Sequence, residues 1–141
     1  MKKVKRVEIH QITRNHKLYE FCDRKCYESK NLYNSVNYIM RQRFTDQKGF
    51  SKDKFNSDFY AIRKEFKKCD AAKPLAYNFF EPIFKGIEKD WKSYFNSIKD
   101  WKKNKSKYKG KPSIPSFAPT GENGRKTAIN RKITRRKDGR F

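Results

Sequence analysis

An α+β fold is predicted for this chain by two kinds of pattern, short strand-like stretches near the ends and long helical periodicity between them. Val7 and Ile9 alternate with polar residues within Val4–Ile12, which is typical of a β-strand. A weaker strand-like stretch covers Thr127–Thr134. Asp138-Gly139 follows it and is a strong two-residue hairpin signal. A frayed tail, in which this dipeptide has no structural meaning, is the alternative.

The first predicted helix runs from Tyr19 to Phe44, because its apolar residues recur in steps of three and four. Asn15 is its candidate N-cap, and Lys48-Gly49 ends the pattern. Ser51 is the predicted N-cap of a second helix. The apolar stripe of that helix is formed by Phe55, Phe59, Ile62 and Phe66.

The third predicted helix carries the largest apolar face and begins near Phe79. This start places Pro82 in the first turn, where a proline is tolerated. Trp91, Phe95 and Ile98 share the apolar face and are therefore interpreted as core residues. After Lys103 the composition changes, because four prolines or glycines between residues 110 and 119 exclude a long helix.

Charge is the strongest functional signal in the sequence. The 141 residues include 37 Lys and Arg against 15 Asp and Glu, a formal net charge of +22. Such an excess favours a polyanionic partner, because each lysine or arginine on a phosphate backbone releases counterions. No stretch approaches the roughly 20 apolar residues of a membrane span. The N-terminus also lacks the apolar core of a signal peptide, so a cytoplasmic location without a membrane partner is expected.

The cysteines do not form a recognisable framework. Cys22 and Cys26 lie one helical turn apart, but a zinc site needs two more ligands, and the histidines lack finger spacing. Buried apolar cysteines are the preferred interpretation. The sequence predicts no metal, no cofactor and no small-molecule substrate.

Three segments resemble the N-terminal half of TnpB, also called OrfB, a family of transposon-encoded RNA-guided nucleases related to type V CRISPR effectors and often described as putative transposases. The segments are Glu28–Phe44, Asp90–Asn104 and Lys107–Phe117. The most specific part is the Trp-Lys-Ser-aromatic-Phe sequence that begins at Trp91, followed by Gly-x-Pro-x-x-Pro from Gly110. At Asn78–Pro82 the chain departs from the family, because an acid and a proline replace amides that help to read the target-adjacent motif.

The resemblance implies a helical recognition domain inserted into a small β-barrel, the wedge domain. Residues 1–14 would hold the first barrel strand, residues 15–105 the helices, and residues 106–141 a basic loop and returning strands. The barrel would be incomplete. The carboxylate triad and the late cysteine pairs of the family's nuclease half have no counterpart here, so the chain is expected to be a truncated form that is not an enzyme by itself.

Two groups of residues are predicted to bind nucleic acid, together with basic residues of the tail. The first is a basic ridge where the third helix meets the following loop: Lys99, Lys102, Lys103, Lys105, Lys107, Tyr108, Lys109 and Lys111. Tyr108 either stacks on a base or packs under the loop. The second is a polar face of the first helix, for which an ordinary solvated face is the alternative: Asn34, Asn37, Tyr38 and Arg41. The tail contributes Arg131, Lys132, Arg135 and Arg136.

Three functions remain open at this level. A truncated TnpB-like protein would bind guide RNA and target DNA through the nucleic-acid backbone. A stand-alone DNA-binding regulator with a helical domain would prefer one duplex sequence instead. An intact small nuclease would need a metal site that the sequence does not supply.

Overall fold

A computed structural model describes residues 8–49, 51–70, 72–126 and 128, and within them the regular secondary structure is entirely helical. Helix α1 spans Tyr19–Asp46, α2 spans Lys52–Phe66 and α3 spans Tyr77–Lys103. A single 3₁₀ turn, η1, covers Lys105–Lys107. No described helix is long and apolar enough to cross a membrane.

The helix limits follow local chemistry. The Ser51 hydroxyl accepts a hydrogen bond from the Lys54 amide at 3.2 Å, so this residue is the N-cap that the sequence predicts. Helix α1 ends where Lys48 and Gly49 adopt positive φ angles of 52° and 93°. The Gly49 amide then donates to the Phe44 carbonyl at 2.6 Å, which satisfies a carbonyl that the helix end leaves open.

Two predicted limits are wrong. Asn15 is not the cap of α1; the helix begins after Leu18, and the Leu18 amide bonds to Nδ1 of His16 instead. Helix α3 begins at Tyr77 rather than near Phe79, so Pro82 lies in its second turn. Pro82 is buried there together with Ile83 and Phe84, so its ring adds apolar contact to the core.

The core is formed by the apolar stripes of the three helices, which all meet each other. Helix α1 contributes Leu32, Val36 and Met40; α2 contributes Phe55, Phe59 and Ile62; α3 contributes Phe80, Phe84, Ile87 and Trp91. Aromatic rings dominate its centre, as in the Phe80–Phe84 pair with centroids 4.5 Å apart. Each such side chain stabilises the fold by roughly 1.5–3 kcal/mol when fully buried, which offsets the self-repulsion of so basic a chain.

The predicted β-barrel is wrong for the part of the chain that the structure describes. Residues 8–12 form no strand. The Ile9 side chain is 89% exposed, so it does not pack against an apolar surface. Residues 112–126, called here the extended segment, have an open backbone but also form no strand. Their polar groups bond to side chains of α1, as shown below. Val4–Val7 and, apart from Ala128, Thr127–Thr134 lie outside the described residues, as does Asp138-Gly139.

Candidate nucleic-acid interface

A row of polar side chains on α1 binds the extended segment. The row follows the helical repeat, at Lys30, Asn34, Asn37 and Arg41. The amide of Asn34 pairs with both backbone groups of Ala118: Nδ2 donates to the carbonyl at 3.2 Å, and Oδ1 accepts from the amide at 2.8 Å. The side chain therefore replaces the neighbouring strand that an extended backbone otherwise needs.

Asn37 lies at the junction of α1, α3 and the extended segment and is fully buried. Its Nδ2 donates to the carbonyls of Pro115 and Ser116 at 3.1 Å each, and its Oδ1 accepts from Nε1 of Trp91 at 3.0 Å. The predicted contact between Asn37 and nucleic acid is therefore incompatible with this structure, because no surface of the residue reaches solvent.

Arg41 and Tyr38 differ from the two asparagines. Arg41 donates to the Pro115 carbonyl at 2.7 Å, and its guanidinium carbon lies 4.9 Å from the centroid of the Phe117 ring. Tyr38 remains 52% exposed beside that ring. Of the polar face predicted on α1, Tyr38 is thus the residue most accessible to a ligand.

The last described part of the extended segment lies against the N-terminal half of α1. Lys30 is buried, and its Nζ donates to the Gly121 carbonyl at 3.2 Å. Arg125 forms a two-bonded pair with Asp23, at 2.7 and 2.8 Å, and this pairing holds the pKa of Asp23 below its usual range. Gly124 lies so close to Pro119 that an added Cβ would be 2.1 Å from the Pro119 carbonyl oxygen.

The predicted basic ridge is exposed, and one acid, Asp100, bonds two of its residues. All seven of its lysines are exposed. Asp100 Oδ2 accepts hydrogen bonds from the Tyr108 hydroxyl at 2.6 Å and from Lys107 Nζ at 2.9 Å. These bonds, that of Tyr108 first, hold the pKa of Asp100 below its ordinary value. Tyr108 is half-buried with its hydroxyl bonded inside the chain, which favours packing over free stacking on a base.

The ridge lysines do not share one face. Lys99 and Lys103 are exposed on the outer flank of α3, whereas Lys102 lines a separate groove together with Lys111 and Trp101. Lys105 Nζ lies 5.3 Å from the Trp101 ring centroid. The end of α3 therefore presents positive charge on two sides. The predicted ridge is not one continuous contact surface.

The remaining predictions concern the basic tail residues, the cysteines and a metal site. Arg131, Lys132, Arg135 and Arg136 lie outside the described residues. Cys22, Cys26 and Cys69 are free thiols that are only partly buried, less than the buried interpretation requires. Within the described ranges no three His, Cys, Asp or Glu side chains are grouped as a metal site would need.

Sequence reasoning found only the C-terminal end of a second basic surface, the outer face of α3, because Lys99 and Lys103 belong to the predicted ridge and the other four residues were not predicted. Its residues repeat every seven positions, in steps of four and three: Lys85, Lys89, Lys92, Asn96, Lys99 and Lys103. The repeat of these lysines is visible in the sequence, but upstream of Lys99 only the apolar residues of this helix were considered. We refer to these six residues as the α3 stripe.

Comparison with known proteins gives no family assignment. No family model, no curated protein and no solved structure matches the chain. The resemblance to TnpB therefore stays a prediction from the quoted segments.

Proposed function

We propose that this chain binds nucleic acid, chiefly through phosphate contacts of the lysines at the C-terminal end of α3 and in the turn that follows. The observation that carries the proposal is the unbalanced charge of the basic ridge. Asp100 is the single acid within residues 99–111, and it pairs with Lys107. Among the described residues the other six ridge lysines have no acidic partner within ion-pair distance.

Unpaired, exposed lysines suit a phosphate backbone better than a protein partner. Lysine is a compact point charge that places phosphates without reading sequence. The net charge of +22 adds a long-range attraction for any polyanion. The expected binding is therefore strongly dependent on salt and weakly dependent on sequence.

The resemblance to TnpB suggests which nucleic acids are bound, and we include them in the proposal. The partners would be a guide-type RNA and its target DNA, bound through the nucleic-acid backbone. This part depends on the quoted segments alone, whereas the ridge supports nucleic-acid binding of either kind.

Fluorescence anisotropy with labelled RNA and DNA, at several salt concentrations, tests the proposal. We expect the logarithm of the binding constant to fall linearly with the logarithm of salt concentration, by about 0.7–0.9 units per phosphate contact. A salt-independent affinity would overturn the electrostatic account. High affinity for one duplex sequence alone would instead favour a DNA-binding regulator.

A ridge variant with glutamine at four positions locates the contact: Lys102, Lys105, Lys109 and Lys111. Its matched control removes four lysines from the end of α2 and from the loop that leads to α3: Lys64, Lys67, Lys68 and Lys73. The ridge variant should lose about one unit of salt slope for each phosphate contact removed. Equal losses in the two variants would mean that net charge, and not the ridge, determines binding.

A further inference from the structure

The α3 stripe forms a straight, basic surface on the side of α3 that faces away from the core. Five of its six residues are lysines; Lys92 is half-exposed and the others are exposed. From Lys85 to Lys103 the stripe is about 27 Å long. A shallow groove runs along the middle of the stripe, and Glu88 is the one acid that lines it. Glu88 pairs with Lys92 at 2.5 Å, and surface ion pairs of this kind contribute little to stability.

A polar groove of about 450 Å³ lies directly beside the stripe, between α3 and the extended segment. Ser93 lines both surfaces, and Ser97 continues the groove along α3. Ser113 and Ser116 line it from the extended segment. Hydroxyl groups therefore lie on both walls, next to a row of positive charges.

One carboxylate and one amine define the chemistry of this groove. Asp90 Oδ2 accepts a hydrogen bond from the Tyr33 hydroxyl at 2.8 Å, and Lys126 Nζ lies 3.8 Å from the Tyr33 ring centroid. Burial, followed by the bond to Asp90, raises the pKa of Tyr33, so its hydroxyl stays a donor. A carboxylate repels phosphate but accepts hydrogen bonds from sugar hydroxyls. The groove thus suits a sugar, and the stripe suits the phosphates.

We propose that α3 binds a single RNA strand, with phosphates along the α3 stripe and riboses in the adjacent groove, where Asp90 accepts a bond from a ribose 2′-hydroxyl. The inference rests on the proposed nucleic-acid binding and adds a preference for RNA over DNA. The 2′-hydroxyl is the group by which a protein distinguishes the two. At about 3.4 Å per nucleotide the stripe spans roughly eight nucleotides of a stacked strand.

The experiment compares an unstructured RNA of about 12 nucleotides with DNA of the same sequence, a length that exceeds the stripe. The full chain should bind the RNA about tenfold more tightly, the effect of one hydrogen bond to a charged group. Equal affinity for RNA and DNA, with a normal salt dependence for both, would overturn this inference and leave the proposed function intact. Salt-independent binding of both would instead count against the proposed function.

Two variants separate the groove from the stripe. Asp90→Asn keeps an acceptor for Tyr33 and should lower the RNA-to-DNA affinity ratio toward one without changing the salt slope. Glutamine at Lys85, Lys89, Lys92 and Lys99 should instead weaken both ligands, flatten the slope by up to about three units and leave the ratio unchanged.

Ser97→Ala, which alters the groove without touching Tyr33, provides a second test should Asp90→Asn unfold the chain. It should also lower the ratio. A groove that does not contact the sugar would leave the ratio unchanged in both groove variants, and this result would refute the role of Asp90.

Discussion

Asn37 on α1 accepts a hydrogen bond from the indole of Trp91 on α3, with 3.0 Å between Oδ1 and Nε1. The same amide donates to two carbonyls of the extended segment through Nδ2. One buried side chain thus satisfies polar groups on two other parts of the chain. Its position matters because a buried N–H or carbonyl group without a partner costs about 1–3 kcal/mol.

Asn37→Ala should therefore lower the free energy of unfolding by about 2–4 kcal/mol, because Trp91 Nε1 and the Ser116 carbonyl lose their hydrogen bonds to Asn37. The Pro115 carbonyl keeps its bond to Arg41. Urea unfolding followed by tryptophan fluorescence measures the change. Asn96→Ala, at an exposed position of α3, is the matched control and should change stability by less than about 0.5 kcal/mol. Similar midpoints for the two variants would contradict the central role of Asn37.

A second prediction concerns Gly124, where the extended segment turns back against Pro119. The Cβ of an alanine at this position would lie 2.1 Å from the Pro119 carbonyl oxygen, which the backbone cannot accommodate without moving. Gly124→Ala should destabilise the chain by about 1–3 kcal/mol and expose residues 119–126 to proteases. Gly110→Ala, where the added carbon meets nothing within 4 Å, should do neither. Equal protease resistance of the two variants would show that the segment is not held as described.

The helices were predictable because their signals are local. The apolar steps of α1, the stripe of α2 and the Ser51 cap each lie within a few residues of one another, and the structure confirms them. The barrel was not predictable in the same way. An extended backbone requires hydrogen-bond partners, but the sequence does not state whether a strand or a helix side chain provides them.

The candidate site illustrates the same limit. The spacing of Asn34, Asn37 and Arg41 places them on one side of α1, but the segment to which they bond comes from residues more than 70 positions later. The ridge was identified from the run of lysines alone, and its seven lysines are exposed. That Lys102 lines a groove together with Lys111 depends on the path of the chain after α3, which composition does not reveal.

A third prediction tests the pairing of Asn34 with the backbone of Ala118. Asn34→Ala removes the acceptor of the Ala118 amide, so hydrogen exchange at this amide should become faster. The Lys126 amide donates to the Cys26 carbonyl instead and provides an internal control that should keep its protection. Unchanged exchange at Ala118 would mean that this amide has another acceptor in solution.

The last prediction concerns pH and Asp100, the acid that organises the basic ridge. Hydrogen bonds from Tyr108 and Lys107 lower its pKa below 3.8 in the folded chain. Because the folded pKa lies below the unfolded one, the contribution of Asp100 to stability is complete above about pH 3.8. It is lost as the pH falls through the folded pKa.

An NMR titration of the Asp100 carboxyl carbon should therefore give a midpoint below 3.8, and the Tyr108 ring signals should shift with the same midpoint. Both groups are at the surface, so about 1 M salt, with a screening length near 3 Å, should move the midpoint back toward 3.8. In Asp100→Asn the acid transition of the Tyr108 ring should disappear. A midpoint at or above 3.8 would mean that Lys107 and Tyr108 do not hold the carboxylate, and that the turn after α3 is not fixed to the ridge in this way.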